Sequence, residues 1–186
     1  FVLEYPTYFR KLRRTYRIFS TLFKNGGGKM KLLFKQRFFS WLDSYDIYDE
    51  MGNTVYTVKG ELSWGHKLQI YNADGLPVGT IKEEVFTFLP KFAMYLNDEY
   101  IGQIKKELTL FKPSFILDYN DWKISGNFWE WDYEIIDSRG IVIGDINKEL
   151  FNFTDTYSLT ISDPRNAIYV LMIALAIDAQ KCSNNS

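Results

Sequence analysis

The chain has one cysteine, Cys182, and one histidine, His66, among 186 residues. A single thiol excludes a disulfide framework and a thiolate metal cluster, and it fits a reducing compartment. One histidine and one distant cysteine make a poor zinc site. Ser63 precedes His66 by three residues in Ser63-Trp64-Gly65-His66, but no Gly-x-Ser-x-Gly elbow surrounds the serine, so the pair gives no support for nucleophilic catalysis. The EF-hand pattern of alternating Asp/Asn, a glycine and a closing glutamate is absent too. Asp49-Glu50, Asp118-Asn120-Asp121 and Asp137 stand instead where hairpin turns want acceptor side chains. No catalytic residue, metal site or cofactor is expected. Long apolar stretches are also scarce: the run Ala167 to Ile177 would measure about 16 Å as a helix, about half a bilayer core.

Aromatic residues, by contrast, are abundant. Fifteen Phe, thirteen Tyr and five Trp suit pleated, half-buried surfaces. With 46% hydrophobic residues the chain has ample material for one globular core. Net charge is −1 but unevenly divided: residues 1–29 hold seven Lys/Arg against Glu4, which leaves the remaining body at −7. An acidic body argues against nucleic acid, whose phosphates need a basic face.

Three segments are expected: a basic leader over 1–29, a domain over 30–182 and a tail over 183–186. In the leader, Tyr8, Phe9, Leu12, Tyr16, Phe19, Leu22 and Phe23 recur at helical spacing, with Arg10, Arg13, Arg14 and Arg17 between them. Such a segment suits an anionic membrane surface, so these arginines are candidate membrane contacts. The chain begins with Phe1, however, and Gly26-Gly27-Gly28-Lys29 precedes Met30, which is what a translated ribosome-binding site would look like. Residues 1–29 are therefore read as leader or non-native sequence joined by a flexible glycine linker, and are set aside for the fold.

From Tyr45 onward one unit recurs, a short apolar strand, a polar turn and a second strand. Its five copies turn at Asp49–Asn53, Asn72–Gly75, Asn97–Glu99, Asn120-Asp121 and Asp137–Gly140, using residues that tolerate positive φ. Val58, Ile81 and Ile104 are 23 residues apart, and Ile124 and Ile146 continue the column. A hairpin this short cannot bury its own apolar face, so several must share a core. Strands that close into a barrel leave no sheet edge, and a wide barrel has an interior to fill. Ala167–Ile177 is the filler, since a helix apolar all round must be buried on every side. Asp163-Pro164 supplies its start, with an N-cap carboxylate followed by proline at the first helical position.

The chain resembles the LURP-one-related family, within the tubby C-terminal-like and phospholipid scramblase superfamily, from Met30 to Cys182. The matching residues are Met30 to Ser40, Tyr45 to Asp49, Val58 to His66, Phe128 to Tyr133 and Ala174 to Asp178. It looks most like the small single-domain bacterial members. The resemblance implies a closed barrel of twelve strands around a C-terminal hydrophobic helix. It brings no catalytic residues, and the superfamily's roles are too varied for the fold to choose among them.

The remaining candidates are weighed on physical grounds. Lys59, Lys82 and Lys105 each follow a core-facing Val or Ile, so all three should face outward. They are candidate ligands for a phospholipid headgroup, although Glu61, Glu83, Glu84 and Glu107 nearby favour a solvated face of cross-strand ion pairs. Phe128, Trp129, Trp131 and Tyr133 read as inward plugs of a barrel. The expected function is a non-catalytic binding or scaffold domain with weak affinity for phospholipid headgroups. The competing reading is a scramblase-like, lipid-active protein whose terminal helix inserts into a membrane. The expected protein is a monomer, cytoplasmic or peripheral to a membrane, whose partner is an anionic phospholipid or another protein.

Overall fold

A computed structural model describes residues 28–35, 44–108, 114–127, 130–149 and 156–183. The described residues form a closed barrel of twelve antiparallel strands around one helix. The strands are β1 (Met30–Lys35), β2 (Ser44–Tyr48), β3 (Thr54–Glu61), β4 (Lys67–Asn72), β5 (Pro77–Glu83), β6 (Lys91–Leu96), β7 (Glu99–Glu107), β8 (Ser114–Leu117), β9 (Trp122–Asn127), β10 (Asp132–Ile136), β11 (Val142–Glu149) and β12 (Thr156–Ile161). Each pairs with its neighbours in sequence, and β1 closes the ring against β12 with Met30 opposite Ile161 and Lys35 opposite Thr156. The five repeated hairpins become β2–β3, β4–β5, β6–β7, β8–β9 and β10–β11. The closing strands β1 and β12 stand outside that repeat.

Alternation sorts the side chains. Val58, Ile81, Ile104, Ile124 and Ile146 all point inward and are fully buried, as the shared register requires. The turns are built from their own carboxylates. Asp49 Oδ1 accepts from the backbone N–H groups of Met51 and Asn53, and Asp137 Oδ1 from those of Arg139 and Ile141. Hydrogen bonds within the turns hold both carboxyls below the usual range, led by the Asn53 side chain at Asp49 and the Ile141 N–H at Asp137.

A barrel of twelve strands is too wide for its own side chains to fill. The helix α1 (Ala167–Ser183) occupies the space. Asp163 accepts a hydrogen bond from the Arg165 N–H and caps a single 3-10 turn, Pro164–Asn166, that leads into α1. Val170 through Ile177 are wholly excluded from solvent, while Ile168 and Tyr169 near the mouth are partly buried. Gly79 of β5 makes room for the helix, because a β-carbon there would run into the Met172 methyl, whereas one at Gly144 of β11 would meet the Thr160 carbonyl of β12. The helix runs six residues past the apolar stretch, to Ser183.

Candidate functional site

Up-and-down topology places alternate connections at opposite ends of the barrel. One end holds the tight turns, rich in Asp49, Glu50, Asp74, Asp98, Asp118, Asp121 and Asp137. The other holds longer loops, among them 62–66 between β3 and β4 and 84–90 between β5 and β6. Its side chains are unlike those of a turn. Leu62 is 87% exposed, Trp64 80%, Phe86 94%, Phe88 93%, and Leu108, just past β7, 78%. These connections join successive hairpins and so neighbour one another around the rim. A single exposed leucine needs no explanation, but five large apolar side chains on three neighbouring loops mark an interaction surface.

The loop 84–90 is held in shape. Its base is closed by Glu84 N–H donating to Lys91 O at 2.9 Å and Lys106 N–H donating to Pro90 O at 3.1 Å. Within it, the Thr87 hydroxyl donates to Leu89 O at 2.7 Å and lies 3.1 Å from Glu84 O. Phe86 has φ of 64°, a left-handed conformation that a bulky side chain rarely adopts. The chain thus accepts backbone strain to hold an aromatic ring in water, and strain of this kind accumulates at functional sites.

The two loops are fastened together. Glu83 Oε2 accepts from the ring Nδ1 of His66 at 2.7 Å and from the His66 backbone N–H at 3.0 Å. The Glu83 N–H donates in return to His66 O at 2.7 Å. Gly65, at φ of 82°, lies so close that a β-carbon would meet Val85 Cγ1 at 2.8 Å. Burial pushes the His66 imidazole below its ordinary pKa against the pull of the Glu83 carboxylate. The Ser63 hydroxyl is turned toward Trp64 O, at 3.5 Å.

Lys59, Lys82 and Lys105 all face outward, on β3, β5 and β7, which are alternate strands rather than neighbours. The Lys59 ammonium lies 4.6 Å from the centre of the Tyr71 ring. Lys105 pairs with Asp118 at 2.6 Å, a bond that raises the Lys105 pKa. Lys82 stands opposite Lys67, and Lys91 opposite Lys105. Like charges facing each other across strands are unfavourable. The glutamates at this end have other partners: Glu61 binds Lys67 at 2.5 Å, Glu83 binds His66, Glu84 accepts from Gln103 and Glu107 from Ser114. The ion pairs expected between the three lysines and these glutamates are therefore replaced by other contacts. Among the described residues, Lys82 and Lys91 have no carboxylate partner, and they flank the loop that carries Phe86 and Phe88.

The end of α1 reaches the same side of the barrel. Lys181 Nζ lies 3.7 Å from the centre of the Trp131 ring and 5.7 Å from that of Tyr133. Trp131 and Tyr133 are buried with Phe34 and Tyr157, which makes them the inward plugs expected. Phe128 and Trp129 lie outside the described residues, as do the leader arginines Arg10, Arg13, Arg14 and Arg17. Burial raises the Asp178 carboxyl to about 6 despite nearby Lys181. Gln180 is buried with neither amide atom hydrogen-bonded. Groups of acidic, histidine and cysteine side chains able to hold a metal ion do not occur among the described residues.

Leu62, Trp64, Phe86 and Phe88 do not emerge as a site from the sequence reasoning. The available signal was Phe86-Thr87-Phe88, an aromatic pair in the gap between two hairpins where neither ring has a strand register to fill.

The family model for LURP-one-related proteins matches residues 30–178. The uncharacterized protein YxjI of Bacillus subtilis (strain 168) is 25% identical over 150 residues, which span 80% of this chain and 92% of that protein. The X-ray structure of a protein from Arabidopsis thaliana superposes with a TM-score of 0.59 at 16% identity, covering 85% of this chain and 93% of the other. At that identity the likeness speaks to fold alone.

Proposed function

The chain belongs to the LURP-one-related family, and from that premise we propose that it is a non-catalytic binding domain that docks on an anionic phospholipid surface through the long-loop end of its barrel. The observation that carries this reading is the set of exposed apolar side chains, Leu62, Trp64, Phe86, Phe88 and Leu108, on neighbouring loops. Such side chains gain free energy by entering the headgroup and acyl boundary, and lysines behind them gain from anionic lipid. Lys82 and Lys91 are in that position, whereas the carboxylates of the tight turns crowd the far end. The charge distribution therefore favours one orientation over its reverse.

A lipid-active reading, with α1 leaving the barrel to insert, is less well supported. Leaving would expose Val170 through Ile177, which lie wholly buried in the barrel core. Among the described residues no helix is long and apolar enough to cross a membrane.

The test is co-sedimentation of the full chain with vesicles of phosphatidylcholine containing 0 to about 40% phosphatidylserine, at low and physiological salt. Binding should rise with the anionic fraction. Replacing Trp64, Phe86 and Phe88 with serine together should abolish it while leaving the circular dichroism spectrum intact. Binding by that triple variant equal to the parent chain would refute the proposal.

A further inference from the structure

Building on the docking role proposed above, we infer that Glu83 and His66 are positioning residues that lock the loops 62–66 and 84–90 into a single insertion unit. Both loops spring from the β4–β5 hairpin, whose ladder sets Lys67 opposite Lys82 and carries on by one backbone bond to His66 and Glu83. That pairing aligns the bases of the loops and goes no further, and side-chain contacts at its end tie the two loops to each other. One carboxylate oxygen, Glu83 Oε2, receives both the ring and the backbone N–H of His66, at 2.7 and 3.0 Å. The Glu83 N–H returns a third bond to His66 O at 2.7 Å. Gly65 is packed on Val85 and on the Glu83 side chain too tightly to admit a β-carbon. Trp64 and Phe86 are the residues immediately outside this contact, one on each loop.

The physical consequence is preorganisation. Two loops that move independently lose conformational freedom when both rings enter a lipid surface, whereas two loops already joined have lost it on folding. The joint adds nothing to the apolar area inserted. It acts on affinity through order alone, so its removal should weaken docking without altering which groups touch lipid.

Four variants of the full chain test this, each measured by co-sedimentation with vesicles of phosphatidylcholine and phosphatidylserine and by amide hydrogen exchange at residues 63–66 and 84–88. His66→Ala and Glu83→Ala should each lower vesicle affinity about 5- to 10-fold and speed exchange in both loops together. The double variant should be no worse than either single one, because the two residues act as one joint. His66→Asn, which returns a side-chain N–H near the place of Nδ1, should stay within about 2-fold of the parent in affinity. Additive losses, or exchange that quickens only in the substituted loop, would overturn the joint. If the parent chain ignores vesicles while both loops still loosen together, the docking role fails and the joint stands. If the parent binds and the alanine variants match it in both measurements, the docking role stands and the joint fails.

Discussion

Replacing Phe86 with glycine should make the protein more stable and a worse binder at the same time. The ring is 94% exposed, so its removal forfeits almost no burial in the folded state. The backbone, at φ of 64°, is relieved of a left-handed penalty of about 1–2 kcal/mol. Against this, glycine adds freedom to the unfolded chain worth about 0.5–1 kcal/mol. The balance is a gain of up to about 1.5 kcal/mol, or up to about 3–6 °C in Tm for a chain of this size. Phe86→Asn should gain a similar amount, since asparagine tolerates the same conformation without the full entropy cost. Vesicle binding should move the other way. A phenylalanine side chain taken from water is worth about 1.5–3 kcal/mol, so its loss should weaken affinity about 10- to 100-fold. Thermal melts and co-sedimentation of the same preparations read both quantities. A lowered Tm would mean that the ring packs against the protein and that no strain is stored there. An unchanged affinity would mean that Phe86 never enters the lipid.

Other substitutions probe the core, the helix end and the charge. Leu171→Asp should unfold the domain, because an unpaired charge in the barrel centre costs several kcal/mol against a total of about 5–15; a cooperative melt of a soluble Leu171→Asp protein would refute the central-helix packing. The Asp178 carboxyl is raised from an ordinary 3.8 to about 6, so the folded chain holds that proton more tightly than the unfolded one. The resulting penalty is absent below about pH 4, grows as pH rises to 6 and persists above it. Asp178→Asn should accordingly stabilise the protein by up to about 3 kcal/mol at pH 7.5 and by nothing at pH 4, as urea titrations at the two pH values would show. Gln180→Met should stabilise by about 1–3 kcal/mol in the same assay, since it replaces an amide with no hydrogen-bond partner by an apolar group of similar length. Lys82→Gln with Lys91→Gln should flatten the salt dependence of vesicle binding, while Lys59→Gln with Lys105→Gln should not. A chain begun at Met30 separates these lysines from Arg10, Arg13, Arg14 and Arg17. Salt-sensitive binding that vanishes in the shorter chain belongs to the arginines.

The barrel was legible in the sequence because its determinants are local and periodic. Asp and Asn at the hairpin turns, alternation along strands such as β4, β5 and β9, and the 23-residue spacing of Val58, Ile81 and Ile104 can be read without knowing what lies across the sheet. The all-apolar run from Ala167 to Ile177 carried its own conclusion, since nothing but a surrounding core can solvate it. Where the barrel closes was less visible. β1 and β12 meet across more than a hundred residues, and no local signal announces such a pair. The candidate site was hidden for a related reason. The lysines shared a register, which suggested one column, but a register counts residues along strands and not strands around a barrel, so they fall on alternate strands with different partners. Phe86, Phe88 and Trp64 belong to loops, where no periodicity tells an exposed ring from a buried one. Only the tertiary structure decided that, by setting the loops on either side of the β4–β5 hairpin at one rim, joining them through Glu83 and His66, and leaving Trp64, Phe86 and Phe88 exposed there.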